Sequence, residues 1–561
     1  MLKKVHPVIA AILLLTACAP SPDAVDGDRL GLSADGYAAA DQIRQEALRE
    51  VIARLASDEF EGRGPATDGD RRTQEYLISR LEEMGYAPGA ADGEWLQPVD
   101  IVSVTTTAPE TWTFSGDDGS VDLAHWDEFI ASSGQQTPSS DIDSADVVFV
   151  GYGIQAPEYD WDDYKGLDVS GKVLLMLNND PDWQDDLFGG SRRLYYGRWT
   201  YKYEIAAELG AAAAIIIHTT PSAGYPFNVV QTGWTGAEFA LPVGDAPTIA
   251  SDAWVSEAAA RSLVELSGLD YDTLVESARS RDFAPVDLGL TTSLHLENEI
   301  SSVQTANVAG LLEGSDPELK DEVVVYTAHH DHMGIAQPDE DGDAIYNGAL
   351  DNAAGVAQVM AIASAFKALP EPPRRSVLIL FVAAEEQGLI GSQSYAQSPT
   401  FHPGNIAANI NLDGGNIWGR TRDLTYIGYG KSSLDAVVDA AAARQGRTVL
   451  ADQFPDRGFF YRSDQFNFAK IGVPAIYLDT GTDFVDRPTG WGAEQIEAWE
   501  DARYHQPSDE LEDTWVFDGM VEDTQLAFYC GLSVAQADVM PTWNVGDEFE
   551  AARLEALAQR P

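Results

Sequence analysis

Five side chains spread through the second half of a 561-residue sequence are of the types that hold a hydrolytic metal: His329, Asp351, Glu386, Asp413 and His505. Imidazole and carboxylate donors suit zinc, which in catalytic sites keeps one position open for water. Two such ions about 3.5–4 Å apart need a carboxylate between them, and together they polarise a carbonyl and activate water. Glu385, next to Glu386, is the proton acceptor such chemistry requires. Asp331, two residues after His329, suits the task of orienting a ligand imidazole. His330 and His332 flank that run and are not assigned as ligands. His-x-Asp or Glu-Glu alone describes many solvated loops; the weight lies in their ordered combination.

The elements that must position these groups are legible around them. Val323 to Ala328 is an apolar run that breaks into His329-His-Asp-His332. Val377 to Ala384 ends in Glu385-Glu386, and Ile406 to Leu412 delivers Asp413. Each short apolar run predicts a buried strand. In open α/β sheets reactive groups gather where strands end, so the pattern describes one site in an α/β fold. From Asp351 to Leu369 the residues Val356, Val359, Met360, Ala363 and Phe366 keep helical spacing, and Pro370 stops the helix. Asp351 therefore falls at or before a helix N-terminus, a favourable place for a carboxylate.

Thr327-Ala-His-His-Asp-His-Met-Gly334, Gly348-Ala-Leu-Asp-Asn-Ala-Ala-Gly355, Ala383-Ala-Glu-Glu386, Asn411-Leu-Asp-Gly414 and Tyr504-His505 resemble the co-catalytic zinc aminopeptidases. This is metallopeptidase family 28, which also includes glutamate carboxypeptidases, glutaminyl cyclases and the inactive transferrin receptor. The likeness covers about residues 40–130 and 296–540. It implies a mixed sheet flanked by helices, zinc exopeptidase-like (phosphorylase/hydrolase-like). It implies Asp351 bridging two Zn2+, one also held by His329 and Asp413, the other by Glu386 and His505. It implies Glu385 as the base and Asp331 behind His329. In some members a tyrosine at the place of Tyr504 donates to the oxyanion; packing is the alternative. Arg462 offers forked donors to a substrate carbonyl or carboxylate, or to a structural salt bridge. Family members commonly show Arg-Ser-Asp-His where this chain has Gln465, a departure that bears on substrate contacts rather than on zinc.

The chain is too long for one core. We expect a peptidase domain from residues 40–133 and 296–541, interrupted over 134–295. The interruption alternates strands and turn signals, as in Asp146 to Gly153, Val169 to Met176 and Leu209 to Ile217, and no donor cluster accompanies it. It resembles a β-rich protease-associated domain, which implies a part in covering or shaping the cleft. His218 reads as structural, and the aromatic, basic stretch from Trp183 to Tyr203 as an interdomain packing surface. Residues 1–18 read as an export signal: Lys3 and Lys4, the apolar Val8 to Leu15, then Leu15-Thr-Ala-Cys18. This resembles a bacterial lipobox, which implies lipidation of Cys18 and a place in the cell envelope, the outer membrane by analogy. Residues 19–39 then read as a tether, and 542–561 as an acidic tail. No other stretch reads as membrane-spanning. The remaining Cys530 reads as a small buried hydrophobe, which leaves no internal disulfide.

With 35 basic and 90 acidic residues the formal charge is −55. Phosphate contacts need a basic surface, so nucleic acid is excluded as a partner. An acidic, well-hydrated surface is the plain reading; adaptation to high salt, where screening relieves self-repulsion, is the sharper one. The expected function is a zinc-dependent exopeptidase acting on peptides, an aminopeptidase by family likeness. A carboxypeptidase or dipeptidase, a glutaminyl cyclase and a receptor-like module are the alternatives. Oligomeric state is not legible.

Overall fold

The computed structural model describes residues 30–561 except 185, 186, 340 and 341. Its centre is a mixed sheet. Three neighbouring strands are parallel: Ser376–Val382, Val323–His329 and Ile406–Asn411. Every residue of the three is buried, which is why they read as unbroken apolar runs rather than alternating ones. Beyond Ile406–Asn411 lie Ala475–Asp479 (parallel), Asp423–Ile427 (antiparallel to it) and Thr448–Ala451. On the other flank the end of Val286–Leu312 pairs antiparallel with Ser376–Val382, and Leu96–Thr107 pairs with it in turn.

Helices Gln45–Leu55, Gly355–Lys367 and Asp518–Gln536 bury their apolar side chains against one face of this sheet. Tyr395 from helix Ile390–Gln397 and Phe468 from Gln465–Lys470 join the core on the other face. Each Val, Leu or Ile buried this way contributes about 1.5–3 kcal/mol before the entropy of ordering it. The stretch Ala349–Lys367 is long and apolar enough to cross a membrane, contrary to expectation from the sequence, but 94% of it is buried inside the protein.

A second body has its own core. The parallel strands Ser139–Phe149, Val173–Leu177, Ala213–His218 and Ser251–Ser256 lie side by side, with Phe129–Ser132 antiparallel at the edge. Helices Trp199–Glu208 and Glu257–Leu266 flank this strand-rich body. Its boundary differs from the expected 133/134: Trp112, Phe114, Leu123 and Phe129 pack with Val147, Val173 and Ile215 in this core. The 27-residue strand Val286–Leu312 joins the two bodies, pairing with Ser139–Phe149 at one end and with Ser376–Val382 at the other.

The termini also depart from expectation. Residues 1–29, with Cys18, lie outside the described residues. Residues 30–39 are not tether: Leu30, Leu32 and Ala39 are buried, and Ser33 caps helix Ala34–Ala39. Ser533 Oγ donates to Leu30 O (2.8 Å), fixing this segment to the Asp518–Gln536 helix. Nor is 542–561 a free tail. Trp543 and Phe549 are buried, and Asp547 and Glu548 each lie 2.8 Å from the buried ammonium of Lys431. Apolar side chains and paired charges make these segments part of the body, where composition alone suggested solvent. Cys530 is fully buried, and burial pushes its thiol well up from its ordinary range.

Candidate metal centre

The C-terminal ends of the three parallel strands bring His329, Glu385, Glu386 and Asp413 together. His329 is the last residue of its strand; Glu385 follows Ser376–Val382 by three residues and Asp413 follows Ile406–Asn411 by two. Ala384 holds φ 54, a left-handed backbone that non-glycine residues rarely adopt, and so turns the chain where the two glutamates begin. Asp351 comes from the turn Ala349–Ala354 ahead of helix Gly355–Lys367. A Cβ on Gly355 would fall 2.1 Å from Asn352 Oδ1 and 2.3 Å from Leu412 O, so only glycine lets this turn sit against the Asp413 strand. The Asp351–Asn352 peptide bond is cis. His505, also left-handed at φ 55, follows helix Trp491–Arg503.

Distances among the five donors describe two overlapping sets. His329 Nε2 lies 3.2 Å from Asp351 Oδ1 and 3.3 Å from Asp413 Oδ1. His505 Nε2 lies 3.3 Å from Asp351 Oδ2 and 2.9 Å from Glu386 Oε2. Asp351 thus turns one oxygen to each set. Donors around a tetrahedral zinc with bonds of ~2.0–2.2 Å stand roughly 3.3 Å apart, the spacing seen here. His505 Nε2 is buried with no aligned hydrogen bond despite two carboxylate oxygens within 3.3 Å. A nitrogen facing two carboxylate oxygens at these distances without an aligned hydrogen bond is an arrangement a cation fits. His329, Glu385 and Asp413, and separately His329, Asp351 and Glu386, have donor atoms within 4.8 Å of one another.

A layer of contacts fixes these donors. Glu386 Oε1 lies 2.6 Å from His332 Nδ1, leaving Oε2 for the centre. Ser463 Oγ donates to Asp413 Oδ2 (2.6 Å), and Asn411 Nδ2 donates to Ser463 Oγ (2.7 Å). The Asp351 N–H donates to Asp509 Oδ2 (3.0 Å). His329 Nδ1 faces the main-chain oxygen of Asp331 at 3.3 Å, and its carboxylate at 3.7 Å, too far for a hydrogen bond. The Asp331 carboxylate instead accepts from the Glu385 N–H (3.1 Å). His330, from the same run, points away to Asp70 Oδ1 (3.1 Å) on helix Asp68–Met84.

The electrostatics are those of a dense carboxylate cluster. Burial pushes the Glu385 carboxyl well above the ordinary range; His329 opposes, and Glu386 and Asp413 add to the rise. Burial raises Asp464 to about 7, against the pull of His329. Asp351 is held well below the carboxylate range, because His329 and His505 outweigh its burial. Crowded anions of this kind are stabilised by bound cations.

The remaining sequence candidates take distinct places. The Tyr504 ring stacks on His505 at 3.8 Å, 45% exposed, and its hydroxyl has no hydrogen-bond partner among the described residues. Arg462 is exposed and forms no salt bridge among the described residues; its guanidinium lies 5.2 Å over the Phe459 ring. Gln465 is buried, donating to Phe460 O (2.7 Å) and accepting from Asn411 Nδ2 (2.9 Å). It serves the wall behind Ser463 rather than the cleft. His218 is buried among Tyr225, Phe227 and Trp254 in the second body. Tyr195 packs on Tyr461 and Phe466 across the junction of the two bodies. Sequence reasoning missed Ser463, Asp509 and Asp70, whereas His332, read as a loop or supporting group beside the donors, holds Glu386. Of the missed residues only Asp509, four residues after His505, carried a local signal.

Residues 307–528 match Peptidase family M28. Curated relatives include probable zinc metalloproteases of Pyrenophora teres f. teres, 35% identical over 117 residues, and of Pyrenophora tritici-repentis, 34% identical over 117. These stretches are 21% of this chain and 24% and 26% of the relatives, so the chain spans about a quarter of their length. Similar solved structures include an aminopeptidase from Aneurinibacillus sp. strain AM-1 (19% identity, 90% of this chain and 96% of that one, TM-score 0.44). Another is BSAP, a zinc aminopeptidase from Bacillus subtilis (16% identity, 86% and 94%, TM-score 0.38). Residues 307–528 of this chain are thus a Peptidase family M28 domain.

Proposed function

We propose that the protein is a zinc-dependent aminopeptidase with two metal positions per chain, sharing Asp351. The observation that carries this is the Asp351 carboxylate, with Oδ1 3.2 Å from His329 Nε2 and Oδ2 3.3 Å from His505 Nε2. His329 and Asp413 would hold one zinc, Glu386 and His505 the other. Zinc bound there supplies Lewis-acid polarisation of the peptide carbonyl and eases ionisation of water.

The chain's own residues do the rest. Glu385 lies beside His329 and Asp413 and is not one of the five residues assigned above to hold zinc. It takes the proton from the attacking water and hands it to the leaving amine. Asp331 aims Glu385 through its main chain. Tyr504, at the exposed face of His505, is the group available to donate to the oxyanion. A shallow pocket beside Asp413 is lined by Asp479 as well as by Asp523, which pairs with Arg447 at 2.6 Å, and the carboxylates left over suit a free N-terminal ammonium over a carboxylate. That favours removal of N-terminal residues. We place the protein in a bacterial cell envelope through a lipid on Cys18; loss of membrane association in Cys18→Ala tests that.

The test of function is hydrolysis of free and N-acetylated aminoacyl-anilides and dipeptides. Release from free N-termini alone, reduced about 10²–10⁴-fold in Glu385→Gln with zinc content unchanged, is the expected result. Cleavage of the acetylated set would favour a carboxypeptidase or dipeptidase. Silence across the panel with zinc bound would refute the reading.

A further inference from the structure

Three arginines converge where the second body meets the loop ahead of Ser463. The Arg193 N–H donates to Pro455 O (3.0 Å), joining the two segments. Between them lies Gly458, with φ 65. A Cβ built there would come within 3.6 Å of Arg193 Cδ and 3.7 Å of Arg198 Cδ, so both stems lean over one glycine. Arg462 follows four residues later, and Tyr225 feels the charge of all three guanidiniums. Beside Arg193 opens a shallow pocket lined also by Arg192, Lys431, Asp452, Gly458 and Tyr461.

No counter-charge sits on the three. Among the described residues none of them forms an ion pair. Arg193 Nη2 donates to Ser222 O (2.7 Å), while its Nε is buried without a partner. Lys431 on the same pocket wall, by contrast, is matched by Asp547 and Glu548 at 2.8 Å each. Burial, then repulsion from Arg462 and Arg193, lowers Arg198 to about 10. Glu500 feels Arg457 and Arg462, and Asp180 feels Arg193, yet neither comes within ion-pair reach. In a chain with 90 acidic residues, partners for these guanidiniums are plentiful, and leaving them open favours an anion from outside. The cluster also borders the metal centre. Arg462 precedes Ser463, which holds Asp413, and Tyr504 feels Arg462 together with Asp351 and Glu386.

Resting on the peptidase reading above, we infer that Arg193, Arg198 and Arg462 form a carboxylate-binding subsite that selects short peptides. The carboxylate is either the peptide C-terminus or an acidic side chain near it.

The test uses the full-length, zinc-loaded protein. Three tripeptide sets are compared by steady-state kinetics and by calorimetric binding: free C-terminal acids, the same peptides as C-terminal amides, and amides with Glu at the third position. The account expects KM and Kd about 10–100-fold higher for the amide than for the acid, as charge-assisted hydrogen bonds of this kind confer. In Arg198→Gln and Arg462→Gln the acid-to-amide ratio falls towards one, and in Arg198→Lys part of it returns. Recovery by the Glu-bearing amide assigns the carboxylate to a side chain; no recovery assigns it to the C-terminus. Equal affinity for acid and amide, or a ratio that survives both substitutions, overturns the subsite and leaves the peptidase reading intact. Binding without hydrolysis overturns the peptidase reading, and the acid-to-amide ratio in Kd still decides the subsite. If Arg198→Gln fails to fold, the exposed Arg462→Gln carries the test.

Discussion

Asp331 holds the main chain of Glu385: its Oδ1 accepts the Glu385 N–H at 3.1 Å. Two adjacent strands end near these residues, and the bond ties Glu385, the proposed base, to the same loop that carries His329. We predict that Asp331→Ala lowers kcat and zinc affinity, each by about 10–100-fold. Asp331→Asn, which keeps an acceptor oxygen, should fall in between. Chelator competition and steady-state kinetics on the same preparations check both; wild-type kcat in Asp331→Ala would contradict the positioning role.

Arg63 organises the loops below the centre. Its buried guanidinium donates to His330 O (3.0 Å), Leu55 O (2.9 Å), Asn347 O (2.6 Å) and Gly348 O (2.8 Å). Burial lowers it to about 10, so it remains charged at neutral pH. Arg63→Leu leaves four buried carbonyls short of a donor and should cost about 3 kcal/mol or more in stability. Chemical denaturation measures this. A loss under about 1 kcal/mol would show that water replaces the guanidinium without penalty.

The strand-end chemistry was legible because parallel strands buried on both faces read as unbroken apolar runs, and a His, Asp or Glu that stops such a run is conspicuous. What lay outside that signal was set by long-range contact. Asp70 sits among Asp68, Arg71 and Arg72 and reads as helix surface, yet it is buried because its helix lies over His330 and Thr305. Residues 111–132 alternate as an edge of either body would; only the packing of Trp112 and Phe129 assigns them to the second core. The ends of the chain misled because acidic, small-residue composition outweighed the few apolar anchors, Leu30, Trp543 and Phe549, that dock them.

Asp252 in the second body gives a pH signature independent of the metal centre. Burial, and then the charge of Glu238, raises its carboxyl to about 7, and its Oδ1 has no hydrogen-bond partner. The folded pKa lies above the unfolded one, so between about pH 4 and 7 the unfolded chain has lost a proton that the folded chain keeps. Stability from this group therefore falls as pH rises through that window and stays low above it. Asp252→Asn should raise stability by ~2 kcal/mol at pH 8 and change little at pH 4. Thermal denaturation at both values checks it; an equal effect at both would rule the titration out.

The charge of −55 makes self-repulsion a property of the whole surface. Screening shortens from about 30 Å at 0.01 M to about 3 Å at 1 M salt. Tm should rise by several degrees between these concentrations of a neutral salt. A flat or falling Tm would remove the case for a salt-adapted surface.

The most direct measurement is zinc content per chain of the purified, zinc-saturated protein, for wild type and for Asp351→Asn. A shared carboxylate with one oxygen in each donor set predicts two zinc ions in the wild type and fewer than one in the variant. A single zinc in the wild type, or two retained in Asp351→Asn, would contradict a centre built on Asp351.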